Sequence, residues 1–211
     1  FIYENLMIEC NLINSSYKNK VKNLIFLGSS CAYPSNIEVK IKESDLLKSY
    51  LEKTNEGYAI AKIAGIKLCE YYSKQYNLNY LSLMPTNIYG PNDNYDLNTS
   101  HFLPALIKKI YLAKKNNHKH IVLWGNGKSK REILYVDDLA DAVIFFINKK
   151  HKYNLINIGS GKDMSINDYA KKLMKIINYE VPIKFDKTKP NGMKRKKLET
   201  LDIDKDEPLK G

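Results

Sequence analysis

Short apolar runs alternate with long amphipathic stretches along almost the whole chain, and this alternation restricts the fold more than any other feature. Residues 23–28 (NLIFLG), 80–84, 121–124, 133–136, 155–158 and 181–185 read as strands. Residues 1–13, 58–76, 102–115, 137–147 and 165–177 place apolar side chains at helical spacing. Asp137 stands where it would cap the fourth helix. Ser165 and Asp168 form a capping box for the fifth. Residues 29–56 and 86–100 read as loops. Strands that alternate with helices build βαβ units, so an α/β fold with a doubly wound parallel sheet is expected. In such sheets ligands bind beyond the carboxyl ends of the strands. Two unusual loops leave such ends: SSCAYP after Gly28 and PTNIYGP after Met84.

Composition narrows the function classes. With 211 residues and 44% hydrophobic content, the chain can bury a substantial core. No apolar run approaches the ~20 residues that span a bilayer, so no membrane partner is expected. Glu4, Asn5 and Glu9 interrupt the first ten residues, which do not read as a secretory signal. Cys10, Cys31 and Cys69 are widely spaced with no C-x-x-C, which argues against a disulfide framework or a metal site and suits a reducing cytoplasm. The net charge is +11, and Arg131 and Arg195 are the only arginines. The lysines are spread out, with one tight cluster at 194–197. Such spreading reads as a solvated surface, so no nucleic-acid partner is expected. The chain opens in mid-pattern without an initiator Met and reads as a fragment.

No G-x-G-x-x-G occurs. GNGKS at 125–129 is no P-loop, because Val122 stands where the first glycine belongs. GSGKD at 159–163 fails likewise at Ile156. Both glycine pairs read as turns. Tyr58-Ala-Ile-Ala-Lys62 is a Y-x-x-x-K whose two side chains share a helix face. A lysine there favours the tyrosinate, and the phenol can then pass a proton to a carbonyl under reduction. Tyr111 and Lys115 repeat the spacing late in another helix, with no serine-bearing strand end beside them. The pattern by itself carries little weight. On its own Cys31 reads rather as a small buried apolar group and His101 as a helix-start residue in solvent, while Trp124 reads equally as packing.

Five segments in unbroken order, LGSSCAYP, TNEGYAIAKIAGIKLCE, MPTNIYGPNDN, SHFLPALI and VLWGNGKSKREILYVDDLADA, resemble the GDP-L-fucose synthase family of extended short-chain dehydrogenases/reductases. The resemblance implies part of a Rossmann-like doubly wound sheet, with the glycine-rich first βα units upstream of Phe1, and a smaller α/β substrate-binding lobe truncated after Gly211. It places 1–88 and 131–158 in the Rossmann domain, and 89–130 and 159–211 in the lobe. It implies an enzyme that epimerises C3 and C5 of GDP-4-keto-6-deoxy-D-mannose and then reduces C4 with NADPH. Residues 1–211 alone are expected to be inactive, and a homodimer is expected.

By the same resemblance Ser29, Tyr58 and Lys62 form the reductase triad, and Cys31 and His101 the epimerase acid/base pair. Leu27, Gly28, Ser29, Ser30, Lys62, Pro85, Thr86, Asn87, Ile88 and His101 line the NADP(H) site. Lys109, Trp124, Arg131 and Asn191 hold the GDP-sugar, with Lys109 where arginine is common and Asn191 in a P-N-G where P-D-G is usual. Epimerisation needs one proton-transfer group on each face of the sugar, and a thiol and an imidazole ordinarily titrate near ~8.5 and ~6.5. Two other readings stay open: a different nucleotide-sugar epimerase, reductase or dehydratase of the same fold, and a basic binding protein without catalysis.

Overall fold

The computed structural model describes residues 1–150, 152–189 and 191–200. Its centre is a parallel sheet in the order β1–β2–β6, built from Asn23–Leu27, Asn79–Pro85 and Leu155–Ile158. Leu27 pairs with Leu83 at the end of β1, and Ile158 pairs with Pro85 at the end of β2. β2 is the middle strand and is buried from Tyr80 to Pro85, as both of its faces are covered. Tyr80 and Met84 pack with α1 (Ile2–Lys18) and α2 (Glu56–Tyr76), through Ile13, Ile63, Ile66 and Cys69. Leu81 and Leu83 point the other way, to Phe146 of α4 (Val136–Ile147) and Ile156 of β6. The period-two alternation of one strand thus feeds two helical layers. Each fully buried aliphatic side chain contributes on the order of 1.5–3 kcal/mol.

A second cluster joins α3 (Phe102–Lys115), β4 (Ile121–Trp124), α5 (Ile166–Ile177) and β8 (Ile183–Asp186), with Ile110, Leu123, Tyr169 and Met174 at its centre. β4 and β8 pair in parallel. Between the two clusters runs β5 (Lys130–Tyr135), flanked by β3 (Asn87–Tyr89), β7 (Asp163–Ser165) and β9 (Arg195–Lys196).

The α/β class and the parallel sheet are as the sequence alternation requires. Several local expectations are not met. Residues 86–100 are not all loop, since Asn87–Tyr89 pairs with β5. β7 and β9 are too short to show a period. Asp137 lies inside the first turn of α4, whose N-cap is Tyr135 without a side-chain cap, so its charge meets the helix dipole rather than a free N–H. Half of the expected capping box forms at α5: the Ser165 hydroxyl accepts from Asp168 N at 3.0 Å, while the Asp168 carboxylate accepts from that hydroxyl at 2.6 Å rather than from the Ser165 backbone. Among the described residues no helix is long and apolar enough to cross a membrane.

Candidate active site

The site is assembled where β1 and β2 end. Gly28 N donates to Leu83 O at 2.9 Å, keeping the two chains together one residue past β1. A Cβ at Gly28 would press on Met84 Sδ and lie 3.3 Å from Ile66 Cδ1, so a side chain here requires Met84 to move. Ser29 is extended, and its hydroxyl accepts from Cys31 N at 3.2 Å. This cap starts a single 3-10 turn over Ser30–Ala32. Ser30, Ala32 and Tyr33 are drawn into the interior, while Cys31 is half-buried. The hydroxyl-rich strand end is therefore a turn device, and it holds Cys31 above the strand ends.

Tyr58 opens α2 and Lys62 follows one turn later. The Lys62 ammonium donates to Leu27 O at 3.1 Å, lies 3.0 Å from Glu9 Oε1, and sits 5.7 Å from the centre of the Tyr58 ring. His101 is the N-cap of α3, makes no side-chain cap, and is exposed. On the β2 side, Thr86 Oγ1 and Asn87 Nδ2 both donate to Glu132 O, at 3.2 and 2.7 Å. Thr86 N donates to Ile158 O at 3.0 Å. Pro85 therefore ends the strand and the chain is pinned as it enters β3. Glu132 is fully buried and accepts from Gly161 N and Leu198 N. Burial pushes its carboxyl above the usual range, against those bonds.

Ser29, Cys31, Tyr58, Asn87, His101 and Arg131 line one cavity of about 850 Å³. Arg131 donates from Nη1 to Lys130 O and Met193 O, both at 2.8 Å. Burial pulls its guanidinium below the ordinary value, and the Cys31 sulfur opposes that pull. The other sugar-nucleotide candidates lie in two further cavities. Lys109 and Trp124 line a cleft of about 720 Å³, with the ammonium 5.1 Å from the indole centre. His118 and His120 line the same cleft. Burial lowers Lys109 from its ordinary value. Asn191 lines a third cavity of about 540 Å³ with Gly125 and Asn126. Its Oδ1 already accepts from Asn126 N at 2.7 Å. The GNGKS segment is a turn, with Gly125 and Gly127 both at φ +69°.

Two site residues escaped the sequence reading. Glu9 stands four residues before Ile13 on the inward face of α1, and that phase was its only signal. Lys196 lines the 850 Å³ cavity with 7% of its surface exposed, yet in sequence it sits unmarked in a basic cluster.

The profile of the NAD dependent epimerase/dehydratase family matches residues 1–159. The GDP-L-fucose synthase of Escherichia coli K12 is 46% identical over 208 residues, 94% of this chain and 65% of that protein. The chain spans a little under two thirds of the length of the curated relatives it matches. A GDP-mannoheptose C4 reductase from Campylobacter jejuni with NADP bound is 34% identical, with a TM-score of 0.84 over 97% of this chain and 70% of that one. A GDP-L-fucose synthetase from Naegleria fowleri bound to NADP is 27% identical, with a TM-score of 0.85 over 94% of this chain and 66% of that one.

Proposed function

This chain belongs to the NAD dependent epimerase/dehydratase family, and we propose that it carries the chemistry of an enzyme that converts GDP-4-keto-6-deoxy-D-mannose to GDP-L-fucose. The observation that carries the reading is the single cavity lined by Ser29, Cys31, Tyr58 and His101. The curated relatives with that name support it.

Cys31 and His101 transfer protons at C3 and C5, one removing and one returning a proton at each centre. Each removal sends negative charge to the C4 oxygen. The hydroxyls of Ser29 and Tyr58 hold that oxygen and donate to it. Ser29 is suited to this, because its oxygen accepts from Cys31 N while its own hydrogen stays available. Tyr58 later gives its proton to the same oxygen as the ketone becomes an alcohol, with Lys62 supporting the tyrosinate left behind. NADPH, when bound, supplies the hydride to C4. The crevice at Leu27, Gly28, Ser29 and Ser30, and across at Pro85, Thr86, Asn87 and Ile88, suits this cofactor: Gly28 adds no side chain and the chain lies at paired strand ends. Lys62 and His101 border it. Lys109, Trp124, Arg131 and Asn191 bind the GDP moiety and its diphosphate.

In this reading residues 1–88 with 131–158 are part of the nucleotide domain, and 89–130 with 159–211 are part of the substrate lobe. The protein works in the cytoplasm as a homodimer. The exposed apolar side chains of Ile8, Leu12 and Tyr71 along α1 and α2 support that assembly.

The test is the full-length protein given GDP-4-keto-6-deoxy-D-mannose and NADPH, with products identified by NMR. The expected product is GDP-L-fucose, and Cys31→Ser should lose epimerisation while keeping residual ketone reduction. Fucose formation by Cys31→Ser at the parental rate would remove the role given to the thiol. An unepimerised alcohol from the parent protein would indicate a C4 reductase, as in the Campylobacter neighbour.

A further inference from the structure

We infer that Lys196 is a positioning residue whose ammonium is set against the Cys31 sulfur to stabilise the negative charge that sulfur carries when it acts as a base, and so sets which group begins proton abstraction. Four basic residues stand together at 194–197. Three of them face carboxylates. Lys194 pairs with Glu38 at 2.6 Å, Arg195 grips Asp163 at 2.7 and 3.1 Å, and Lys197 lies 3.9 Å from Asp163. Lys196 is turned inward instead. The residue is 7% exposed, and its ammonium donates to Cys31 Sγ at 3.3 Å. Among the described residues it has no carboxylate partner.

The backbone fixes this placement. β9 pairs in parallel with β5, with Lys130 opposite Arg195 and Arg131 opposite Lys196. Side chains alternate along a strand, so anchoring Arg195 on Asp163 directs Lys196 to the other face, into the cavity. The titratable and charged groups that line the cavity with Cys31 are Lys196 from β9, Arg131 from β5, Tyr58 from α2, His101 at the start of α3, and Glu52 from the loop before α2. Two permanent cations and one carboxylate leave the balance positive. A buried ammonium without a carboxylate needs an anion, and a sulfur beside lysine is favoured as thiolate.

The inference rests on the proposed epimerisation only for its catalytic consequence. There, Cys31 S⁻ removes a proton beside the ketone, becomes S–H, and the electron pair moves to the C4 oxygen. Lys196 keeps its proton throughout.

The first measurement needs no substrate. Iodoacetamide at pH 7 is applied to the full-length folded protein, and peptide mass spectrometry follows Cys31 and Cys10, both half-buried. Cys31 should react at least ~10-fold faster than Cys10, and Lys196→Met should remove most of that advantage while Lys196→Arg keeps it. Equal rates at Cys31 and Cys10 in the parent protein overturn the inference, whether or not the variants fold. So does an unchanged Cys31 rate in folded Lys196→Met. Deuterium entry at C3 and C5 of the GDP-sugar, without NADPH, is the second measurement, and it should fall with the alkylation rate in Lys196→Met. Fast alkylation with no deuterium entry in the parent keeps the Lys196–Cys31 pair and rejects the fucose-forming reading.

Discussion

Lys62 holds its ammonium 3.0 Å from Oε1 of Glu9, a carboxylate that α1 buries beneath α2. The contact is a buried ion pair, and no donor other than Lys62 reaches either carboxylate oxygen among the described residues. Lys62 also donates to Leu27 O, on the last residue of β1. Glu9 thus acts on Lys62 by charge, at the point where Lys62 must stand close to Tyr58.

The protonation balance at Glu9 gives the first prediction. Burial raises its carboxyl above the ordinary range, and the opposing pull of Lys62 is smaller. The folded chain therefore holds this proton to higher pH than the unfolded chain. Stability from this group is complete below about 4.5 and declines as pH rises through the raised folded value. Glu9→Gln imitates the protonated form. It should match or exceed the parent in urea unfolding at pH 7.5, and the difference should vanish as pH falls into the ordinary carboxyl range. Ketone reduction should suffer, with kcat down about 10-fold or more and KM little changed, since a misplaced group at the chemistry costs up to about 10²-fold. A clear loss of stability at pH 7.5 with kcat intact would mean that Glu9 serves packing alone.

The parts of the molecule that could be read in advance are those whose signal is local. The alternation that separates β2 from α2 gave the sheet, and the Ser29–Cys31 segment could be placed at a strand end before any coordinates. Lys196 could not be read, because its meaning depends on a two-residue strand and on Asp163 holding its neighbour from 32 residues away. Nor could Asn157, an amide inside an apolar strand pattern, whose partners come from three distant segments.

Asn157 carries the second prediction. Its side chain is 1% exposed, accepts from Tyr33 OH at 2.6 Å, and donates to Ile41 O and Glu199 O at 3.0 and 3.1 Å. It ties the Cys31 turn, the following loop and the last described residues to β6. Asn157→Ala takes the acceptor from the Tyr33 phenol and a donor from Glu199 O, while Ile41 O keeps its bond from Glu199 N at 2.8 Å; each group left unsatisfied costs about 1–3 kcal/mol where water cannot enter. A loss of about 3 kcal/mol is expected by urea denaturation. Asn157→Asp should be worse at pH 7.5, since it sets a carboxylate against two carbonyl oxygens, and should recover part of the loss as pH falls. A loss under about 1 kcal/mol for both would show that this junction does not hold the turn in place.

Lys109 carries the last prediction. Its ammonium lies over Trp124 in the 720 Å³ cleft, and burial lowers it from its ordinary value with no carboxylate beside it among the described ion pairs. A cation held in that way gains most from an incoming anion. Removing the charge with Lys109→Met should raise KM for the GDP-sugar about 10-fold with kcat nearly unchanged, the scale of one charge-assisted hydrogen bond. The sign with pH follows from the lowered value: the ammonium is lost at lower pH than for a free lysine, so diphosphate binding weakens as pH rises towards that point. Lys109→Arg stays charged and can fork onto two oxygens. It should lower KM and remove the alkaline rise. Steady-state kinetics of the three proteins from pH 7 to 10 give the comparison, and identical KM profiles would place the diphosphate elsewhere.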